Sequence, residues 1–136
     1  MKVIYMGTPD FAVRPLEALA EAGHTICLVV SQPDRAKDRR GNLLPTPVKR
    51  RALELGIPLD RIVQPARIRE DTQFHDLLRS LQPDAIVVAA YGRILPPAIL
   101  SIPRYGCINI HASLLPKHRG PSPIQSSIIA GDELTG

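Results

Sequence analysis

The sequence predicts an α/β fold, a doubly wound and mostly parallel open sheet. Three observations lead to it. Short apolar, β-branched runs recur along the chain, and amphipathic segments with helical spacing lie between them. The first two runs are joined through a helix within about 30 residues, which requires a parallel pair with a right-handed crossover. The 136 residues suffice for one domain with its own core, and with no Trp and only 4% aromatic residues that core must be aliphatic.

Lys2 to Met6 is the first strand, ended by Gly7-Thr8-Pro9. Asp10 can begin a helix in which Phe11, Val13, Leu16, Leu19 and Ala20 have helical spacing, and Gly23 stops it. Thr25 to Val30 is a strand of buried type. The connection from Gln32 to Pro47, with Pro33, Pro45 and Pro47, is long enough to be functional or disordered. Val48 to Leu55 is a short helix, Arg61 to Gln64 a weak strand, and Thr72 to Leu81 an amphipathic helix with Phe74, Leu77, Leu78 and Leu81 on one face. Asp84 to Ala90 is the clearest buried strand. Pro97 to Leu100 is a helical turn, Gly106 to His111 a strand, and Ser122 to Ala130 a helix with Pro123 in its first turn, where a missing N–H costs little. His24 and His75 fall on peripheral elements and are read as surface histidines without a role. There is no internal repeat and no linker.

Charge is concentrated. The chain carries a net charge of +4, while Ser31 to Arg51 alone holds seven basic residues against two acids. That segment supplies the whole basic excess, as a surface that meets phosphates would, although a solvated loop explains the charge as well. Cys27 and Cys107 sit in apolar runs without CxxC spacing and are expected as buried, reduced thiols, which points to a reducing cytosolic compartment. Val3 to Met6 is too short for a signal-peptide core of about 7–15 apolar residues. The run from Ala85 to Tyr91 cannot span a bilayer, which needs about 20. A cytoplasmic protein with no membrane partner is expected. The chain lacks GxGxxG and GxxxxGK[ST], which argues against dinucleotide and P-loop binding, and shows no metal-ligand spacing, so no metal is expected.

In open α/β sheets ligands bind outside the carboxyl ends of the strands. The candidate segments are therefore Gly7-Thr8-Pro9, the loop after Val30, Tyr91 to Leu95, and Asn109 to Gly120. The first could present N–H groups at a helix start or be a plain tight turn. Asn109 and His111, two apart on a strand, project to one face. An Asn amide can donate to a developing oxyanion, and a His can do the same when protonated or move a proton. A strand-end pair making ordinary hydrogen bonds fits the spacing equally well. Ser113-Leu114-Leu115-Pro116 is an apolar turn beside them, with Lys117, His118 and Arg119 as a basic rim.

Longer stretches narrow these options. They are Gly7-Thr8-Pro9-Asp10-Phe11-Ala12, Gln32-Pro33-Asp34-Arg35, Pro47-Val48-Lys49, the run Ala89 to Pro96, Gly106 to His111, Ser113 to Gly120, and Pro123-Ile124-Gln125. With these the chain resembles the folate-dependent formyltransferases, which have a Rossmann-like fold. The Gly-Thr-Pro-Asp-Phe opening and the Gln-Pro-Asp-Arg loop point to the branch acting on tRNA. The resemblance implies transfer of a formyl group from 10-formyltetrahydrofolate, a co-substrate, to the free amine of the initiator methionyl-tRNA in translation initiation, by a monomer that needs no metal. It implies Asn109 and His111 as catalytic residues. Ser113, Leu114, Leu115 and Pro116 correspond to the folate-contacting turn, and Tyr91, Gly92, Arg93, Ile94 and Leu95 to the segment lining the pterin pocket. Arg35, Lys37, Arg39, Arg40 and Lys49 correspond to a tRNA-binding insertion in which Arg39 holds the key position. Two stretches depart from the family's pattern: Asp38-Arg39-Arg40-Gly41-Asn42 replaces a Gly-Arg-Gly-Lys-Lys type run, and Pro121-Ser122 stands where Ala-Ala is usual. The family also has a catalytic Asp and a C-terminal tRNA-binding barrel domain beyond Gly136, so residues 1–136 are expected to form an N-terminal formyltransferase domain incomplete at its C-terminus. Transfer to another amine, of a purine precursor or an amino sugar, is the alternative within the enzyme class. A non-catalytic folate- or tRNA-binding module is the alternative outside it.

Overall fold

The computed structural model describes residues 1–136. Its strands are β1 (Lys2–Gly7), β2 (Thr25–Val30), β3 (Ile62–Val63), β4 (Ala85–Ala89) and β5 (Cys107–Ile110), and its helices α1 (Val13–Glu21), α2 (Pro47–Glu54), α3 (Thr72–Ser80), α4 (Pro97–Leu100) and α5 (Pro123–Ala130). The strands form one sheet in the order β3-β2-β1-β4-β5, and every neighbouring pair is parallel. The doubly wound α/β expectation is met, and the element bounds differ from the expected ones by a few residues. Asp10–Ala12 is a 3₁₀ turn ahead of α1 rather than its first residues. This places Pro15 in the first turn of α1, where no intrahelical N–H is lost.

Side-chain alternation along β1 builds two aliphatic cores, one on each face. Val3 and Tyr5 pack with Leu16 of α1 and with Val48 and Ala52 of α2, and Ile4 and Met6 pack with Phe74 and Leu78 of α3 and with Ile99 of α4. β2 breaks strict alternation. Val3 pairs with Ile26 and Ile4 with Leu28, so Cys27 is the extra residue of a bulge. Both Cys27 and Leu28 consequently pack into the α3 side, while Val29 returns to the other. Cys27 is buried, as expected, but Cys107 on the edge strand β5 is only half-buried, and both are free thiols.

Two expectations for α3 are corrected. His75 is buried, not on the surface, with Nε2 hydrogen-bonded to the Ile68 carbonyl at 2.6 Å. Leu77 is exposed. The inward stripe of the helix runs through Phe74, His75 and Leu78, because the segment bearing Ile68 covers the His75 side.

The sheet reverses its order of construction at β1: β2 and β3 are added on one side, β4 and β5 on the other. Gly7 ends β1 opposite Ala89, the end of β4. A Cβ on Gly7 would stand 2.8 Å from the Ala12 Cβ and 2.9 Å from the Ala89 carbonyl oxygen, and the latter is backbone that cannot step aside. Gly7→Ala should therefore cost about 1–3 kcal/mol of stability, read from urea unfolding; an unchanged midpoint would show that this junction has slack.

Candidate active site

Beyond the carboxyl ends of β1, β4 and β5 lies a cavity of about 910 Å³. Pro9 and Phe11, from the turn after β1, form one wall, and Ala90 to Ile94, from the turn after β4, form another. Asn109, Ile110, His111 and Ala112 bring the end of β5 into it, and Pro123, Ile124 and Gln125 bring the first turn of α5. The turn after β4 is tight because both Ala90 (φ 45°) and Gly92 (φ 88°) have left-handed backbone. That geometry drives Tyr91 inward between them. Its ring is only 1% exposed and belongs to the core on the α3 side. The Tyr91 hydroxyl is buried without a hydrogen-bond partner, and burial pushes its pKa up to about 12.

The structure brings Asn109 and His111 together on the cavity wall, as the strand periodicity predicts. Asn109 pairs in register with Val88 of β4. His111 Nε2 lies 3.0 Å from the carbonyl oxygen of His118. A carbonyl only accepts, so Nε2 carries the hydrogen and Nδ1 of the neutral ring is an acceptor.

Other expected residues take different places. Of the segment Tyr91 to Leu95, Leu95 does not line the cavity; it packs on the core of the α3 side. Ser113, Leu114, Leu115 and Pro116 do not line it either. Ser113 is buried and its Oγ donates to the Lys117 carbonyl at 2.7 Å, closing the turn, while Leu114 and Leu115 are exposed. Pro9, from the candidate segment Gly7-Thr8-Pro9, lines the site, and so do Phe11, Ile124 and Gln125, although the sequence pattern places Phe11 only on a helix face and gives the last two no role. The signal that could find the other three is the one that found Pro9, position: they follow the end of a strand or open a helix at the switch-point end of the sheet.

The basic loop is ordered. Lys37 and Leu43 form an antiparallel bridge, and the Leu44 N–H donates to the Ala36 carbonyl at 2.8 Å. At the tip the Asp38 carboxylate accepts from the N–H groups of Arg40 (2.8 Å) and Asn42 (2.9 Å) and from the Asn42 amide (3.1 Å). These bonds hold the Asp38 carboxyl below its ordinary range and project Arg39 and Arg40 into solvent. Lys49 is different. Its ammonium is 2.7 Å from Asp34 Oδ2 and 2.8 Å from Gln64 Oε1, and its side chain is 19% exposed. It ties the base of the loop to Gln64, just past β3, and its charge is met by Asp34. Arg35 lines a second cavity of about 480 Å³ with Thr8, Gln32, Pro45 and Arg93. Thr8 links the two cavities: its Oγ1 donates to the Tyr91 carbonyl at 3.1 Å and accepts from the Gln32 N–H at 3.2 Å.

A crevice at the switch point, walled by Asn109 and His111, is where the fold and the sequence relatives meet. The family model described as "Formyl transferase" matches residues 1–136. The chain belongs to the formyl transferase family. It is 54% identical over its whole length to the methionyl-tRNA formyltransferase of Pelotomaculum thermopropionicum, covering 42% of that relative. It is 54% identical to the enzyme of the same name from Agathobacter rectalis, covering 43% of it. The chain thus spans less than half the length of these curated relatives. Among solved structures it is similar to phosphoribosylglycinamide formyltransferase from Anaplasma phagocytophilum, with 26% identity and a TM-score of 0.73 over 100% of this chain and 61% of that one. The Bacillus halodurans protein of that name has a TM-score of 0.74 at 21% identity, covering 100% of this chain and 69% of that one, and shows the shared fold.

No helix is long and apolar enough to cross a membrane.

The anchor of the basic loop has a pH signature. Burial raises the Asp34 carboxyl, but hydrogen bonds from Lys49, Gln64 and the Thr46 N–H outweigh that and the net shift is downward. A carboxyl lowered on folding contributes stability above its unfolded pKa of about 3.9 and loses it as pH falls through the lower folded value. Acid unfolding of wild type should show this loss below about pH 4, and Asp34→Asn, already without it, should be less stable at pH 7 with a flatter acid limb; parallel acid limbs would show that the pair contributes nothing.

Proposed function

We propose that this chain carries the formyl-transfer site of a methionyl-tRNA formyltransferase, with 10-formyltetrahydrofolate as donor and the free amine of initiator methionyl-tRNA as acceptor. One observation carries the reading: the Asn109–His111 crevice and an ordered basic hairpin stand at the same end of a sheet whose sequence is 54% identical to proteins of that name. The cavity's volume, about 910 Å³, suits a cofactor-sized molecule, for which pockets run to about 300–1,000 Å³. Phe11, Ile94, Pro121, Pro123 and Ile124 give it apolar surface for a flat ring. The folate, when bound, supplies the formyl carbon.

The residues of the chain divide the remaining work. The Asn109 amide donates to the formyl oxygen as negative charge develops on it. That interaction is strongest in the transition state and so accelerates the step. The acceptor amine must be uncharged to attack, and a free α-amine ionises at about pH 7.7–8.0. His111, with Nε2–H tied to the His118 carbonyl, keeps Nδ1 as the acceptor for the proton leaving that amine. A bond forms from the amine nitrogen to the formyl carbon, the carbon–nitrogen bond to the folate breaks, and the proton passes by way of His111 to the departing nitrogen. Leu114 and Leu115, exposed in the turn that follows the cavity wall, are available to the part of the folate that leaves the crevice.

Arg39 and Arg40 at the hairpin tip, with Lys37 and Arg35 behind them, would meet the phosphates of the tRNA. The third catalytic residue, an Asp, and the barrel domain implied by the family resemblance lie outside residues 1–136 in this reading, which places the enzyme in the cytoplasm as a monomer. A second reading, transfer to a purine-precursor amine, is favoured by the likeness to the solved structure from Anaplasma phagocytophilum, which carries the name phosphoribosylglycinamide formyltransferase. The hairpin counts against it, since a small acceptor does not call for a projecting pair of arginines.

The test is formylation of methionyl-tRNA by the full-length protein. Asn109→Ala should lower kcat about 10²–10³-fold with tRNA affinity kept. Arg39→Glu with Arg40→Glu should weaken tRNA binding and flatten its salt dependence, by roughly 0.9 in the log–log slope for each phosphate no longer neutralised. Near wild-type turnover by the first variant would remove Asn109 from the site. Folate binding without turnover by the wild type would favour a non-catalytic module.

A further inference from the structure

The carbonyl that fixes the His111 ring is itself held in place. Residues 117 and 118 make a bend in which His118 has left-handed backbone, φ 53°, a conformation that a non-glycine residue keeps only where its surroundings hold it. Two backbone carbonyls of this bend are engaged, one by the turn and one by the site. The Lys117 carbonyl accepts from Ser113 Oγ at 2.7 Å, and the His118 carbonyl accepts from His111 Nε2 at 3.0 Å. On the other side, both side chains of the bend converge on one carboxylate. His118 Nε2 donates to Asp132 Oδ2 at 2.6 Å, and Lys117 Nζ donates to Asp132 Oδ1 at 3.2 Å. Asp132 is fixed in turn just past α5, where Gly131 closes the helix with left-handed backbone and the Asp132 N–H donates to the Ser127 carbonyl at 3.0 Å. The Asp132 and His118 side chains are 15% and 19% exposed, so water competes weakly for their bond.

We propose that Asp132 is a positioning residue for His111. By gripping the His118 ring and the Lys117 ammonium it holds the bend whose His118 carbonyl selects the Nε2–H tautomer of His111. The carboxylate touches neither the cavity nor any reacting group; it acts through one backbone carbonyl. Without it the strained bend relaxes, the His111 ring loses its acceptor, and Nδ1 is no longer reserved for the substrate amine. The proposal rests on the role given to His111 above, and its test includes a readout independent of which amine is formylated.

Two variants of the full-length protein carry the test. Asp132→Asn keeps the shape and removes the charge and one acceptor, and His118→Phe keeps a ring at 118 and removes only its donor. In both, kcat should fall about 10–100-fold, the scale seen when the group that orients a metal-binding His is lost, while KM for folate and for tRNA stays near wild type. The nitrogen shifts of the His111 ring by NMR should report a single Nε2–H tautomer in wild type and a mixture in the variants. A single tautomer and unchanged kcat in both variants would overturn the proposal. So would a raised folate KM with kcat intact, which would make Asp132 part of the turn's shape alone. If only one variant folds, the same readouts on it decide; if neither folds, Asp132 and His118 are structural and the positioning role is overturned. A wild type that formylates nothing would sink the functional reading while the tautomer measurement still judges Asp132.

Discussion

Where β1 meets β4, the two strands run side by side to Gly7 and Ala89, and no side chain fits between the Gly7 Cα and the Ala89 carbonyl. The rest of the site depends on that closeness. At this point the chain's crossovers part to opposite sides of the sheet, leaving a crevice above the strand ends. Tyr5 reinforces it from below: its buried hydroxyl donates to the Ala12 carbonyl at 2.6 Å, seating the turn that carries Pro9 and Phe11 against the end of β4. The paired left-handed residues Ala90 and Gly92 then bend the chain away from β4, giving the opposite wall.

The site divides between a rigid part and a projecting part. Asn109 is paired to β4 and His111 follows the strand's last paired residue, its ring tied to the His118 carbonyl. The arginines at 39 and 40 stand exposed on a hairpin tip that the Asp38 carboxylate holds together. Thr8 and Gln32 join the two. Thr8 holds the Tyr91 carbonyl and the Gln32 N–H, and Gln32 Oε1 accepts from Arg93 Nε at 3.2 Å. The Asp34–Lys49 pair, backed by Gln64, fixes the base of the hairpin against the residue just past β3. The Thr8 and Gln32 bonds tie the base of the hairpin to the turn that walls the crevice.

Much of this is legible in the residues. The run at 85–89, the strand–helix–strand opening and the two-residue step from Asn109 to His111 are local patterns, and local patterns survive folding. What escapes depends on partners distant in sequence. Lys49 adds one positive charge to the loop's total, yet Asp34, 15 residues away, uses it up. His75 looks like a surface histidine until the segment at Ile68 folds over it. The bulge at Cys27 shifts the phase of β2 with no glycine or proline to announce it. The Ser113 to Pro116 turn reads in sequence only as an apolar turn beside His111; its closure by the Ser113–Lys117 bond leaves no mark there. The hold of Asp132 on His118 spans 14 residues and leaves no motif.

The central claim is that the crevice between the β1 and β4 turns receives the folate with its reacting end at Asn109 and His111. A crystal structure of the full-length protein with an unreactive formyl-folate analogue tests this most directly. The account predicts the analogue's formyl oxygen within hydrogen-bond distance, about 3 Å, of the Asn109 amide, and its ring between Phe11 and the 90–94 turn. An analogue seated instead in the smaller cavity beside Arg35, with Asn109 and His111 untouched, would contradict it.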